Sequence, residues 1–160
     1  MTKSVHVESA LGVRKTATED TVGSILRAKG NQVWQIEPSA TVYEALSQMA
    51  ERSVGALPVV SDGVLVGIIT ERDILYCCVA GSQPLSQVKV DEAMSTTLIT
   101  GTPDDEVEHV MGLMTTHRIR HLPVLCEGRL AGMISIGDVV KAQHDRLAME
   151  NRFMKDYIAG

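Results

Sequence analysis

The sequence predicts an α/β fold, an α+β sandwich made of two tandem units with the order β-α-β-β-α. Two observations lead to this prediction. The chain matches itself without a gap at a shift of 65 residues, and each copy runs through the same series of strand-like and helix-like hydrophobic patterns. Because a unit of about 60 residues is only marginally stable alone, we expect the two units to pack sheet to sheet by pseudo-two-fold symmetry.

The repeat is specific in its register. Over positions 38–75, 11 of 38 residues are identical to the residue 65 positions later. The segment "LPV" at Leu57–Val59 recurs at Leu122–Val124, and "GIITERD" at Gly67–Asp73 corresponds to "GMISIGD" at Gly132–Asp138. Chance is a poor explanation for matches that keep one register.

Each unit starts with a short predicted strand, "WQI" in the first unit and "LIT" in the second, and a proline and an amphipathic helix follow. Thr41 and Glu44 have the spacing of a capping box at the start of the first helix. The apolar faces of the two helices are predicted to be Val42, Ala45, Leu46, Met49 and Ala50, and Val107, Val110, Met111 and Met114.

A hairpin and a second helix complete each unit. The strands "ALPVV" and "VLVGIIT" flank "SDG", and "HLPVL" and "RLAGMIS" flank "CEG", which are turn signals typical of hairpins. The closing helices are predicted over Glu71–Ala80 and from Ile136 onward. The resulting organisation is a flexible N-terminal segment 1–20, a first unit 21–80, a linker 81–87, a second unit 88–143 and a C-terminal helix extension 144–160.

Composition narrows the function classes. The net charge of −5 argues against a nucleic-acid-binding surface, and the longest apolar run is too short to span a membrane. Three cysteines outside any CxxC pair fit a reducing cytoplasm. Cys77 and Cys78 could form a redox pair, although small apolar fillers on a helix are the alternative. No metal is expected, because the sequence has no paired His or Cys ligands. No enzymatic activity is expected either, because the sequence has no HExxH motif, no Walker loop and no nucleophile–base arrangement.

The tandem order, the two "LPV" segments and the two segments that end in aspartate, "GIITERD" and "GMISIGD", resemble the CBS domain pair, also called the Bateman module. The resemblance covers about Thr21–Lys141. This resemblance implies a free-standing regulatory protein that binds AMP, ADP, ATP or NAD in the cleft between two units. It further implies a homodimer that transmits the bound state to a regulated partner protein. A structural dimerisation module without a nucleotide is the alternative.

Four residues are candidates for ribose and phosphate contacts. Thr70 and Asp73, and likewise Ser135 and Asp138, place a hydroxyl and a carboxylate three residues apart where a strand leads into a helix. A carboxylate can accept two hydroxyl hydrogen bonds from a ribose diol, and the helix N-terminus favours phosphate. The resemblance implies these roles. The alternative is that both pairs only cap their helices.

Basic residues in "HRIRHLPV" are the phosphate candidates. Arg120 and His121 stand where the first unit has Gly55 and Ala56, so positive charge comes from one unit only. The glycine and alanine would leave room for an adenine or a sugar. The remaining cationic candidates are Arg72, Arg118 and, more weakly, Lys29. A solvated basic turn paired with Asp104–Glu106 or with other acidic residues is the alternative.

The adenine is expected against apolar positions that offer backbone donors and acceptors. These base-binding candidates are Val33, Trp34, Ile36, Gly55, Ala56, Leu98 and Thr100. Trp34 could stack on a base or belong to the core. At the C-terminus, Val140, Leu147 and Met154 recur every seven residues, and either a dimer contact or docking on the same domain would explain them.

Overall fold

The computed structural model describes residues 6–9, 20–30 and 32–160, which form six strands and six helices. The two hairpins with their flanking helices confirm a mixed α/β fold built from two tandem units. The elements in chain order are β1 (His6–Ser9), α1 (Val22–Lys29), α2 (Val42–Arg52), β2 (Ala56–Ser61), β3 (Val64–Thr70), α3 (Glu71–Ala80), α4 (Val90–Ala93), β4 (Thr97–Thr100), α5 (Val107–His117), β5 (His121–Cys126), β6 (Arg129–Ser135) and α6 (Ile136–Ala159).

Each hairpin turns on a pair of residues with positive φ. Strands β2 and β3 pair antiparallel, with Leu57 opposite Ile69, and strands β5 and β6 form the second hairpin. In the turns, φ is 49° at Asp62 and 78° at Gly63, and the second turn repeats this with 50° at Glu127 and 75° at Gly128. Two-residue turns of this kind match the twist of the strands, so the predicted turn signals are confirmed.

The core of the first unit lies between helix α2 and its hairpin. Val42, Ala45 and Met49 of α2 are buried, but Leu46 is 38% exposed and Ala50 is also exposed. The predicted apolar face was therefore too wide. The buried cluster consists of Ile36, Val42, Ala45, Met49, Leu57, Val59, Ile69, Ile74 and Val90. The second unit buries Val107, Val110 and Met114 of α5 in the same way.

The predicted leading strands have different outcomes. "LIT" lies in β4, which pairs with β1. "WQI" is not a strand, because only Ile36 pairs, in a single parallel bridge to Val59. Pro38 follows two residues later and has no N–H to continue the ladder. The predicted flexible segment 1–20 lies mostly outside the described residues, but its residues His6–Ser9 form β1.

The described residues group into two compact units. The first contains residues 6–8, 33–99 and 127–130, and the second contains residues 9, 20–30, 32, 100–126 and 131–160. Helix α1, which sequence reasoning missed, belongs to the second unit. It is anchored there because the Val22 N–H donates to Asp105 O at 2.9 Å and the Gly23 N–H donates to Pro103 O at 2.8 Å. No helix in the described part of the chain is long and apolar enough to cross a membrane.

Candidate functional site

The first strand-to-helix junction is where β3 leads into α3. Thr70 caps the helix: its hydroxyl accepts from the Asp73 N–H at 3.4 Å, while Asp73 Oδ2 accepts from the Thr70 N–H at 2.8 Å. The Thr70 hydroxyl also donates to Asp73 Oδ2, at 3.0 Å. The other carboxylate oxygen, Oδ1, accepts one long bond from the Ser95 hydroxyl at 3.4 Å. The cap therefore uses one oxygen of Asp73 and leaves the second only weakly engaged.

The second junction, where β6 leads into α6, repeats this capping box. The Ser135 hydroxyl accepts from the Asp138 N–H at 3.2 Å, and Asp138 Oδ2 accepts from the Ser135 N–H at 2.8 Å. Both residue pairs therefore cap their helices. Capping does not exclude ligand contacts, because Asp138 Oδ1 makes none of the hydrogen bonds found among residues 6–9, 20–30 and 32–160.

Lys29, at the end of α1, is the strongest electrostatic feature of the second junction. Its Nζ lies 2.7 Å from Asp138 Oδ2 and donates to the backbone oxygen of Met133 at 2.9 Å. Burial alone raises the pKa of Asp138, but the bonds from Lys29 and the Ser135 N–H, with the charge of Lys29, bring it below the ordinary 3.8. Asp138 is therefore ionised near neutral pH.

The same local hydrogen bond places a loop residue against each helix start. The Glu71 N–H donates to Gly55 O at 3.1 Å, and the Ile136 N–H donates to Arg120 O at 2.8 Å. Gly55 and Arg120, which correspond in the repeat, thus stand beside their junctions. Gly55 was predicted to leave room for an adenine or a sugar and Arg120 to bind phosphate, and these backbone bonds place each residue next to a helix start.

A depression beside the first junction was not predicted. Its volume is about 410 Å³, within the size range of ligand pockets. Gly55 and Glu71 contribute to its wall next to the start of α3, and residues of α2 and of the loop that follows it supply the rest. The full lining is Leu46, Met49, Ala50, Ser53, Val54, Gly55 and Glu71.

Most of the cationic candidates are exposed. Arg72 and Arg120 are exposed near their helix starts, and Arg118 ends α5 in a left-handed conformation with φ of 54°. None of these three arginines takes part in the ion pairs found among the described residues, so the proposed pairing with Asp104–Glu106 is not observed. His121 is half-buried at the start of β5.

The base-binding candidates divide by burial. Ile36, Ala56, Leu98 and Thr100 are each at most 8% exposed, so only their backbones could meet a ligand. Val33 and Gly55 are half-buried. The ring of Trp34 packs partly against the core of the first unit, and the Arg52 guanidinium carbon lies 3.7 Å from its centroid. Arg52 therefore already stacks on Trp34.

The sequence pattern of the CBS domain matches residues 22–79 and 90–145, which is more than half of the chain. The chain belongs to the CBS domain family. The CBS domain-containing protein YhcV of Bacillus subtilis is 38% identical over 122 residues, covering 76% of this chain and 86% of the relative.

Solved CBS structures share the fold. The CBS-domain containing protein ATU1752 of Agrobacterium tumefaciens is 40% identical with a TM-score of 0.72, covering 77% of this chain and 98% of that one. The CBS domain pair of protein MJ0100, solved in complex with 5-methylthioadenosine and S-adenosyl-L-methionine, is 25% identical with a TM-score of 0.70, covering 79% and 97%.

Two residues of the CBS junctions escaped sequence reasoning in different ways. Ser95, which reaches Asp73, lies between the repeated segments, and no counterpart 65 residues away marks it. Lys29 was only a weak phosphate candidate, because nothing in the sequence reveals its contact with Asp138. Its place at the end of a helix with an N-cap threonine, Thr21, was the available signal.

The candidate groups for metal binding and redox chemistry are the histidines, the carboxylates and the cysteines. No group of three or more His, Cys, Asp or Glu side chains with metal-binding geometry occurs among the described residues. Cys77 and Cys78 are free thiols. Burial, followed by the charge of Asp73, raises the pKa of the Cys77 thiol. A smaller thiolate fraction makes this cysteine less reactive.

Proposed function

We propose that this protein is a regulatory module that binds an adenosine-containing ligand at its two strand-to-helix junctions. One observation carries the proposal: each unit holds an aspartate whose Oδ2 completes a helix cap while Oδ1 remains weakly engaged or unengaged by the described residues. A carboxylate oxygen fixed in this way can accept hydrogen bonds from a ribose diol.

In this proposal Asp73 and Asp138 bind the ribose hydroxyls, and Thr70 and Ser135 orient them. The two helix starts supply backbone N–H groups and a positive dipole for a phosphate. The depression next to Gly55 provides volume beside the first junction. The complex of MJ0100 with two adenosine compounds supports the ligand class, since that protein is related along most of this chain.

The finer assignments belong to the same proposal. Phosphate groups, where present, are bound by Arg120 and His121, with Arg72, Arg118 and Lys29 as further cations. The adenine contacts backbone groups of residues 33–36 and 98–100. The physiological ligand is AMP, ADP, ATP or NAD, and the bound state is transmitted by a cytoplasmic homodimer to a regulated partner protein.

The second candidate function is a dimerisation module without a nucleotide. One observation favours it: helix α6 carries large apolar side chains that its own unit leaves exposed. Leu147 is 56% exposed, Phe153 69% and Tyr157 88%. Exposed apolar residues concentrated on one helix favour association.

Calorimetric titration of adenosine and AMP tests the proposal. Parent protein should bind at least one of them, and the double variant Asp73→Asn with Asp138→Asn should bind at least tenfold more weakly. The reason is that a hydrogen bond to a charged group contributes roughly 1.5–3 kcal/mol. Asparagine keeps an oxygen for the cap, which limits any loss of stability.

The matched control is Asp62→Asn, an equally conservative change in the exposed β2–β3 turn. It should leave the affinity unchanged. If the double variant binds both compounds as the parent does, the aspartates only cap their helices. If the parent binds no adenosine compound, the dimerisation module becomes the better account.

A further inference from the structure

The two junctions differ in charge although they share one capping geometry. At the first, Asp73 is flanked by Glu71 and Arg72, and no ion pair within the described part of the chain reaches its carboxylate. At the second, uncharged Ile136 and Gly137 replace those flanking residues. The second carboxylate, moreover, has a counter-ion, because Lys29 lies 2.7 Å away.

Lys29 is held in this position by its own helix and by two acceptors. Helix α1 is anchored at its start by backbone hydrogen bonds from Val22 and Gly23 within the second unit. The Lys29 ammonium has three N–H donors, and Asp138 Oδ2 and Met133 O accept two of them. The side chain remains 40% exposed, so the third donor is available to a ligand from solvent.

An aspartate that binds ribose but has no counter-ion disfavours a nearby phosphate. The two groups carry like charges, and their repulsion is strong at the reduced dielectric of a protein surface. A paired lysine removes this repulsion and adds a donor for phosphate oxygen. The backbone of Arg120 also lies beside this helix start, since its oxygen accepts from the first N–H of α6.

From these differences we infer that the two units select adenosine derivatives of different charge, and that Lys29 sets the difference. The second unit prefers a phosphorylated nucleoside. The first, where exposed Arg72 forms no ion pair with Asp73 among the described residues, prefers an uncharged or cationic one. This inference rests on the proposed function, because it assumes that both aspartates bind ribose. It adds a ligand class for each unit and a specificity-determining residue for the second.

The experiment uses the full chain and two probes, AMP and adenosine, in calorimetric titrations. The Asp73→Ala variant leaves only the second junction with its carboxylate, and it should bind AMP more tightly than adenosine. The further substitution Lys29→Met keeps most of the side-chain stem. It should weaken AMP binding by about tenfold to a hundredfold, the range for one charge-assisted hydrogen bond. Adenosine affinity should change by less than about twofold, because its ribose bonds do not involve the ammonium.

Two controls separate charge from structure. Lys29→Arg should retain the preference for AMP, because the positive charge remains. Lys141→Met removes an exposed lysine of the same unit whose partner is Asp145, and it should change neither affinity. In the Asp138→Ala chain, where only the first junction keeps its carboxylate, adenosine should bind more tightly than AMP.

The failures are distinguishable. Equal losses of affinity for AMP and adenosine in the Lys29→Met variant would show that Lys29 only positions α1. This result would overturn the inference while leaving the proposed function intact. Equal ratios of AMP to adenosine affinity at the two junctions would also overturn it. A parent chain that binds neither probe would overturn the proposed function and this inference together.

Discussion

Gly67→Ala should destabilise the first unit because another part of the chain occupies the space where a methyl group would lie. A Cβ built on Gly67 would be 2.5 Å from the Met94 sulfur and 3.0 Å from Ser95 O. Met94 can move, but Ser95 is fixed: its N–H donates to Ile68 O at 2.9 Å, and its oxygen accepts from the Ile68 N–H at 3.0 Å. The methyl group must therefore push apart a paired backbone.

Overpacking of this kind costs about 1–3 kcal/mol. For a chain of this length, each kcal/mol lowers the melting temperature by about 2–4 °C. The control is Gly112→Ala on the exposed side of α5, where nothing lies within 4 Å of the new methyl group. That change should stabilise by about 0.5–1 kcal/mol, because glycine is unfavourable inside a helix.

Urea unfolding of the three proteins measures both effects as changes in the transition midpoint. The reasoning would be refuted if Gly67→Ala unfolded at the same urea concentration as the parent. It would also be refuted if both alanine variants shifted the midpoint in the same direction, because local space would then not decide the outcome.

Three further predictions follow from the junctions and from helix α6. A saturating adenine nucleotide, at a hundredfold excess over its dissociation constant, should stabilise the fold by about 2.7 kcal/mol and raise the melting temperature by several degrees; unchanged melting with AMP, ADP, ATP and NAD would contradict it. Because the pKa of Asp138 lies below 3.8 in the folded chain, its contribution to stability should be complete above that pH and lost as pH falls through the lowered value. The difference in unfolding free energy between parent and Lys29→Met should thus be larger at pH 7 than at pH 3, and a constant difference would contradict the ion pair. Light scattering should find a dimer, and truncation after His144 should yield monomers if α6 holds it together; a truncated dimer would place the interface elsewhere.

The sequence repeat predicted the shared features of the two units well. Thr70 with Asp73, and Ser135 with Asp138, were paired from their spacing, and the structure joins each pair in a capping box. The hairpin turns were also predictable, because Asp-Gly and Glu-Gly carry their conformational preference locally.

The features that differ between the units could not be read from the repeat. Helix α1 lies outside the aligned copies, and its structural counterpart is the shorter α4, whose Val90 and Asp91 N–H groups donate to Ala40 O and Pro38 O in the same way. The contact of Lys29 with Asp138 spans 109 positions of sequence and leaves no periodic signal. Ser95 reaches Asp73 only because its backbone pairs with Ile68. The "WQI" segment failed as a strand because apolar character alone cannot show whether neighbouring residues have ladder partners.

The most direct test of the central claim is an NMR titration of ¹⁵N-labelled protein with adenosine, followed by guanosine as the control. Binding at the junctions predicts that adenosine shifts the backbone amide signals of residues 70–73 or 135–138, and that guanosine shifts them much less. Adenosine shifts confined to other parts of the chain would contradict a ribose-binding role for Asp73 and Asp138, and equal shifts with both nucleosides would contradict an adenine-selective site.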